Sequence, residues 1–291
     1  MRVLAQKSLQ RGFLRLVTRE GHFLANPVHS LQTVGLQDGD TINAFAQEPE
    51  LTETGGAFAL WCCGGDRIVT WGNAKSGGDS SAVQDRFRSV QQLEATSFAF
   101  AAILADRSVV TWGNPANGGD SSAIRDQLNG VVQVQAAHQA FAAILTDGSV
   151  VTWGAPRFGG DSSKVQDQLR NVQQLEATMF AFAAILENGS VVTWGDPKTG
   201  GDSSAVQHQL MNVQQLQASK GAFAAILAEG SVATWGRPDY GGDSSEVQGQ
   251  LRHVQRVLAT SRAFATILSD GSLVPWGTLK DSGIGEFLSS L

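Results

Sequence analysis

Residues 140–154 read A-F-A-A-I-L-T-D-G-S-V-V-T-W-G. The first six residues are apolar and rich in alanine, and the last six include β-branched and aromatic residues, which strands favour. Asp147-Gly148 lies between them, and Asp-Gly between two apolar runs is a strong hairpin signal. The stretch therefore predicts two antiparallel strands joined by a tight turn.

This hairpin is one copy of a repeat. A tryptophan followed by glycine recurs every 41 residues, at Trp71, Trp112, Trp153, Trp194, Trp235 and Trp276. The run G-G-D-S-S recurs with the same spacing and contains Asp79, Asp120, Asp161, Asp202 and Asp243. The sequence therefore predicts about six 41-residue units, which cover most of the chain.

The rest of each unit predicts a loop, a helical turn and a further strand. In one unit, A-P-R-F-G-G contains loop-forming residues, S-S-K-V-Q-D-Q-L predicts one or two turns of helix, and V-Q-Q-L-E-A predicts a strand. Ser163 and Gln166 have the spacing of a capping box, as do Ser81–Gln84, Ser204–Gln207 and Ser245–Gln248, whereas Arg125 replaces the glutamine in the second unit. Such a unit buries its apolar face only by stacking on its neighbours. The fold class is thus mostly β, a propeller-like array with three short strands and a helical turn per repeat, with an open β-solenoid as the alternative.

The A-F-A-A-I-L-x-D-G-S-V-V-T-W-G pattern resembles the repeats named after the regulator of chromosome condensation. In place of the family's usual G-Q-L-G-like continuation, this sequence has G-G-D-S-S, and its period is shorter. The resemblance implies a β-propeller. It further implies either guanine-nucleotide exchange on a small GTPase or the recognition region of a HECT-type ubiquitin ligase.

The first 48 residues lack this repeat. The runs L-R-L-V-T, around Leu16, and L-Q-D-G-D-T-I resemble the second half of a ubiquitin-like α+β fold. We therefore expect a partial ubiquitin-like segment at 1–48, a linker at 49–56 and the repeat propeller at 57–291.

Composition excludes several classes of function. Apolar residues make up 42% and charged residues 16%, with a net charge of −6, so the sequence has no basic stripe for nucleic acid. No run of about 18 apolar residues predicts a membrane span. Cys62 and Cys63 are adjacent and suit two small buried residues better than a disulfide framework. We expect a cytoplasmic or nuclear protein.

Few residues suggest chemistry. The repeated aspartates either bind cations as a ring or form turns, and the repeated tryptophans either stack on ligands or fill the space between blades; recurrence in every unit favours the structural role for both. None of the five histidines has metal or catalytic spacing. The sequence predicts no enzyme activity, no metal and no cofactor.

Positions that vary within the repeated frame are the candidate binding residues, because function in repeat proteins concentrates in variable loops. One set follows each Trp-Gly, and the other precedes each A-F strand. The candidates are Phe98, His138, Arg157, Phe158, Met179, Lys198, Lys220, Tyr240 and Arg262. We expect a non-catalytic scaffold that binds a protein, and the resemblance implies a recognition or adaptor role in the ubiquitin pathway. The alternatives are a regulator of a small GTPase and a propeller that binds glycans or small ligands in equivalent pockets.

Overall fold

A computed structural model describes residues 14–18, 42–46, 49–62 and 65–279. Strands β1 (Leu14–Thr18) and β2 (Ile42–Ala46) pair antiparallel, with Leu14 opposite Ala46. The rest of segment 1–48 lies outside the described residues, so its assignment to a ubiquitin-like fold stays a prediction.

The other strands form six separate three-stranded antiparallel sheets, which we call blades 1 to 6 in chain order. Blade 1 contains β3 (Glu50–Glu53), β4 (Ala57–Trp61) and β5 (Val69–Gly72); blade 2 contains β6 (Val90–Ala95), β7 (Ala99–Leu104) and β8 (Val109–Gly113); blade 3 contains β9 (Val131–Ala136), β10 (Ala140–Leu145) and β11 (Val150–Gly154); blade 4 contains β12 (Val172–Ala177), β13 (Ala181–Leu186) and β14 (Val191–Gly195); blade 5 contains β15 (Val213–Ala218), β16 (Ala222–Leu227) and β17 (Val232–Gly236); blade 6 contains β18 (Val254–Ala259), β19 (Ala263–Leu268) and β20 (Leu273–Gly277).

The helical elements between blades are 3₁₀ helices, and none is longer than six residues. They span Ala74–Ser76, Ser81–Arg86, Pro115–Asn117, Ser122–Gln127, Pro156–Phe158, Gln166–Gln168, Pro197–Thr199 and Pro238–Tyr240. The predicted helical turn after G-G-D-S-S is thus a 3₁₀ helix after blades 1, 2 and 3 and a turn after blades 4 and 5.

The sheets are arranged as propeller blades and not as a solenoid. In a solenoid, equivalent strands of consecutive repeats pair with each other, whereas here the three strands of each repeat pair among themselves. The first strands of consecutive blades contact each other, and so do the middle strand of one blade and the first strand of the next in most pairs. The predicted propeller-like array of six repeats is confirmed.

Tryptophan closes each contact between blades. In blade 4, Trp194 stacks on Phe182 with 5.3 Å between ring centroids, and both side chains are buried. The Trp194 Nε1 donates a hydrogen bond of 3.0 Å to the carbonyl oxygen of Gly159 in the loop after blade 3. The same hydrogen bond recurs in blades 2 to 6, so each of these tryptophans is bonded to the loop after the preceding blade. Trp71 in blade 1 differs, because it is 44% exposed.

The repeated aspartates accept hydrogen bonds within their own turns. Asp161 Oδ1 accepts a hydrogen bond of 2.9 Å from the amide of Ser163, and the other four aspartates make the equivalent bond to the serine two residues ahead. This amide and the Ser163 hydroxyl hold the pKa of Asp161 below its usual value. The carboxylates are thus occupied by the turn of their own loop.

The predicted capping boxes are wrong. Because Asp161 already accepts from the Ser163 amide, Gln166 pairs with the preceding residue, and its Oε1 accepts from the Ser162 hydroxyl at 2.8 Å. The Gln166 Nε2 donates to the carbonyl of Val150 at 2.9 Å. The glutamine therefore ties the loop to the outer strand of its own blade.

The linker predicted at 49–56 contains a strand. Glu53 of β3 lies opposite Phe58, as Ala177 lies opposite Phe182 in blade 4. The E-L-T-E sequence lacks the apolar pattern of the other first strands. This strand is therefore recognised from its pairing with β4 and not from hydrophobic residues. Cys62 is buried directly after β4, as expected, and Cys63 lies outside the described residues.

Candidate functional site

Both sets of variable positions lie on one edge of the blades. Ala181, the first residue of β13, pairs with Gly195, the last residue of β14, so the turn before β13 and the loop after β14 meet. The Thr178 hydroxyl joins them by donating to the carbonyl of Thr199 at 3.0 Å. We call this edge the rim: it consists of the turns between first and middle strands and of the 3₁₀ helices that follow each Trp-Gly.

The turns of the rim surround a cavity of about 730 Å³, to which every blade contributes the same segment. Single main-chain hydrogen bonds join consecutive turns: each amide donates to the equivalent carbonyl in the next blade at 2.8–3.0 Å. The series runs through Gly55, Ser97, His138, Met179, Lys220 and Ser261. A common backbone frame thus presents different side chains at equivalent positions.

An aromatic group spans blades 2 to 4. Phe158 and Phe180 have ring centroids 4.9 Å apart. The His138 ring lies 5.7 Å from Phe180, 6.4 Å from Phe158 and 6.0 Å from Phe98, in edge contacts. All four side chains are only partly buried, so their outer edges face solvent.

His138 is fixed within this group. Its Nδ1 lies 2.6 Å from the Ser97 hydroxyl, which comes from the preceding blade. Partial burial, followed by the positive charge of Lys220, lowers the pKa of His138. The lowered pKa favours the neutral form of the ring.

A second group spans blades 5 and 6. The guanidinium carbons of Arg237 and Arg262 lie 4.6 and 5.0 Å from the centroid of the Tyr240 ring, within cation–π distance. Asp239 forms ion pairs with both arginines, at 2.9 and 3.3 Å. At Gly221 a Cβ atom would lie 2.9 Å from the Tyr240 ring, so glycine makes room for the tyrosine.

The remaining predicted residues lie elsewhere on the rim. Arg157 and Lys198 are exposed on the 3₁₀ helices after blades 3 and 4. Met179 and the exposed Lys220 line the cavity. Within the described part of the chain, none of these three cations forms an ion pair within 4.0 Å.

Phe180 belongs to the variable pairs that precede each A-F strand, whereas Arg237 belongs to neither set of predicted positions. The residue directly after Trp-Gly is Asn73, Asn114 or Asp196 in three blades, and there its side chain caps the next 3₁₀ helix. Arg237 stands at this position without such a cap bond, which leaves it available to Tyr240 and Asp239. The loss of a capping residue was the signal in the sequence.

Two carboxylates on the first strands were also missed. Glu94 and Glu176 each accept a hydrogen bond of 3.0 Å from a glutamine two residues earlier, Gln92 and Gln174. Burial raises the pKa of both carboxyl groups. The equivalent residues in blades 3 and 5 are the neutral Gln135 and Gln217.

The described residues contain no group of three or more His, Cys, Asp or Glu side chains placed to hold a metal ion. In the same part of the chain, no helix is long and apolar enough to cross a membrane.

No protein-family model matches this sequence, and no curated protein matches it. Solved structures do resemble it. Human WBSCR16 is 14% identical over 91% of this chain and 88% of its own, with a TM-score of 0.49. Prp20p from Saccharomyces cerevisiae, described with its binding to Gsp1p and histones, is 14% identical over 91% of this chain and 80% of its own, with a TM-score of 0.48.

The ectodomain of the Physcomitrella patens receptor kinase CR4 is also similar, with 17% identity over 83% of this chain and 68% of its own and a TM-score of 0.48. At these identities the similarity concerns architecture. The assignment of this chain as a propeller-like repeat protein depends on its own strand pairing.

Proposed function

We propose that this chain is a non-catalytic interaction module that binds one protein partner across the rim. The asymmetry of the rim carries the proposal. The backbone frame is the same in each blade, but the aromatic group lies on blades 2 to 4 and the Arg237–Tyr240–Arg262 group on blades 5 and 6. Aromatic residues and arginine are the types enriched where protein partners bind tightly.

The charges on the rim favour an acidic partner surface. The chain carries a net charge of −6, yet its variable rim positions include Arg157, Lys198 and Lys220, which form no ion pair with any residue that the structure describes. Lys220 lies at the cavity between the two groups. A partner with an apolar anchor flanked by carboxylates complements this arrangement.

The asymmetry also argues against a propeller that binds several copies of a small ligand. Such a protein needs equivalent pockets, whereas the six equivalent turn positions are occupied by Gly55, Ser97, His138, Met179, Lys220 and Ser261. Exchange on a small GTPase, recognition in the ubiquitin pathway, the exclusion of nucleic acid and a cytoplasmic or nuclear location remain predictions.

The experiment is an affinity capture with the full chain and four variants. Phe158→Ser/Phe180→Ser removes the aromatic group, and Tyr240→Ser removes the cation–π group. Val132→Ser and Met211→Ser are matched controls, since both residues are exposed hydrophobics outside the rim.

A partner that both rim variants lose and both controls retain supports the proposal, provided that circular dichroism shows the folded state in all variants. Sedimentation of the complex should then give one partner per chain. If the rim variants capture the same proteins as the unaltered chain, the rim is not the binding surface.

A further inference from the structure

The cavity inside the rim is lined by the turns of all six blades, and many of its polar groups are already bonded. In blades 1 to 5 the amide of this turn donates to the carbonyl of the next turn. The buried hydroxyls of Thr96, Thr178 and Ser219 donate to the last carbonyl of the 3₁₀ helix that follows in their own blade. Recognition of a ligand in this cavity therefore depends on the side chains that these bonds leave available.

Two of those side chains are basic. His138, Met179 and Lys220 occupy the same turn position in blades 3, 4 and 5, and main-chain hydrogen bonds of 2.9 Å join the three turns. The Lys220 side chain is exposed and forms no ion pair with any residue in the described ranges. It lies close enough to the imidazole for its charge to contribute to the lowered pKa of His138. The two basic groups thus flank the turn of Met179, and no described carboxylate pairs with either of them.

The imidazole of His138 is held by one nitrogen and keeps the other available. Nδ1 lies 2.6 Å from the Ser97 hydroxyl, whereas Nε2 forms no hydrogen bond with any residue that the structure describes. Both nitrogens of a protonated imidazole are donors, so Nδ1 would then donate to Ser97 and Nε2 to an anion. An anion beside the ring favours the protonated form, and its binding is therefore coupled to the uptake of a proton.

We propose that the cavity binds a carboxylate side chain of the partner between Lys220 and His138, an inference that rests on the protein-binding function proposed above. The cavity volume of about 730 Å³ falls within the range of ~300–1,000 Å³ that is typical of ligand sites, so it admits a side chain. Glu53 on blade 1 is the remaining ionisable residue among those that line the cavity. Its charge repels a carboxylate, which favours binding on the side of blades 3 to 5.

A carboxylate on a protein suits this site better than a free anion, because contact surface for the rest of a partner lies directly beside it. Phe180 of the aromatic group follows Met179 in the chain. Gly221, against which the Tyr240 ring packs, follows Lys220. Both groups of the rim therefore adjoin the proposed carboxylate site. The cavity would supply the charged contact, and the two groups would supply the surrounding aromatic and arginine contacts that protein interfaces use.

Isothermal titration calorimetry of the full chain with a tetraglutamate peptide, blocked at both ends, tests the proposal without the partner. We expect binding to tighten by about tenfold from pH 7.5 to pH 5.5, with a heat that depends on the buffer because a proton is taken up. The peptide stays largely ionised over this range. Lys220→Met should weaken binding by about tenfold, and His138→Met should remove the pH dependence. The matched control is Lys198→Met, which removes a rim cation outside the cavity and should leave binding unchanged.

Absence of peptide binding, or an equal loss in Lys220→Met and Lys198→Met, would overturn the proposal. Binding of free glutarate as tightly as the peptide would assign the cavity to a small anion and would also overturn it. Affinity capture separates this inference from the function on which it rests. A partner that Lys220→Met retains and Phe158→Ser/Phe180→Ser loses would leave the protein-binding function standing and would contradict the role of the cavity.

Discussion

Trp194 Nε1 donates to the carbonyl oxygen of Gly159, a residue 35 positions earlier in the chain and one blade away. Gly159 has a φ of +88°, and a Cβ atom there would lie 2.4 Å from Cδ2 of Phe182. The position therefore requires glycine twice, for its backbone conformation and for the close approach of the ring.

We predict that Gly159→Ala lowers the free energy of unfolding by about 3 kcal/mol, because it adds both strain and overlap. Substitutions at two other glycines distinguish the effect of backbone strain from the effect of steric overlap. Gly271 has a φ of +83° but open space around it, so Gly271→Ala should cost about 1 kcal/mol. Gly249 has open space and no positive φ, so Gly249→Ala should be neutral. Equal effects of all three in urea unfolding would contradict the packing argument.

Gln166→Ala should destabilise the protein by about 1–2 kcal/mol, because the Val150 carbonyl loses the donor Gln166 Nε2 and the buried Ser162 hydroxyl keeps only its bond to Thr152. The second unit supplies the control, since Arg125 occupies the equivalent position and the structure records no hydrogen bond from its side chain. Arg125→Ala should change stability little, and Arg125→Gln should increase it. Chemical denaturation measures all three.

Glu94→Gln and Glu176→Gln should raise the melting temperature at pH 7.5 by about 1–3 °C each. Burial raises the pKa of each folded carboxyl above its unfolded value, so these groups favour the fold below the unfolded pKa, and this contribution is lost as pH rises through the folded pKa. Glutamine removes the charge, keeps an acceptor for Gln92 or Gln174, and already stands at Gln135 and Gln217. The gain should vanish at pH 4, and an equal gain at both pH values would contradict the electrostatic argument.

His138→Met should reduce the loss of stability between pH 7.5 and pH 5. The pKa of His138 is lowered in the fold, so its neutral form contributes stability above the unfolded pKa of about 6.5, and that contribution falls as the pH drops below this value. Methionine stands at the same position of the next blade, as Met179. Melting curves at the two pH values measure the effect, and an unchanged pH dependence in the variant would contradict it.

Much of the fold follows from the sequence, because strong local signals recur at a fixed spacing. The hairpin around Asp147-Gly148 and the structural role of Trp194 are examples. Strand β3 was missed because E-L-T-E has no buried pattern of its own, and the capping boxes failed because Asp161 competes for the amide of Ser163. Local spacing does not show which of two acceptors takes a donor.

The candidate site was predictable as a set of positions but not as a surface. Variation within the repeat identified Phe98, His138 and Phe158, and the structure brings them together across blades 2 and 3. The His138–Phe158 contact depends on where the 3₁₀ helix Pro156–Phe158 lies relative to the turn that contains His138, and the spacing of residues in the sequence does not show this. Arg237 was not predicted because the position directly after Trp-Gly holds a capping residue in other blades, such as Asn73 and Asn114.

The likeness of the blade interfaces has a consequence for how the chain reaches this state. The loop around Gly159 contacts the Phe–Trp pair of blade 4, and the loop around Gly200 contacts the equivalent Phe–Trp pair of blade 5. Skipping one repeat about doubles the chain that must be closed, which costs only about 0.6 kcal/mol. During refolding, a loop therefore discriminates weakly between its own target and the next, and kinetic traps in which one blade is left out should compete with productive assembly and slow it.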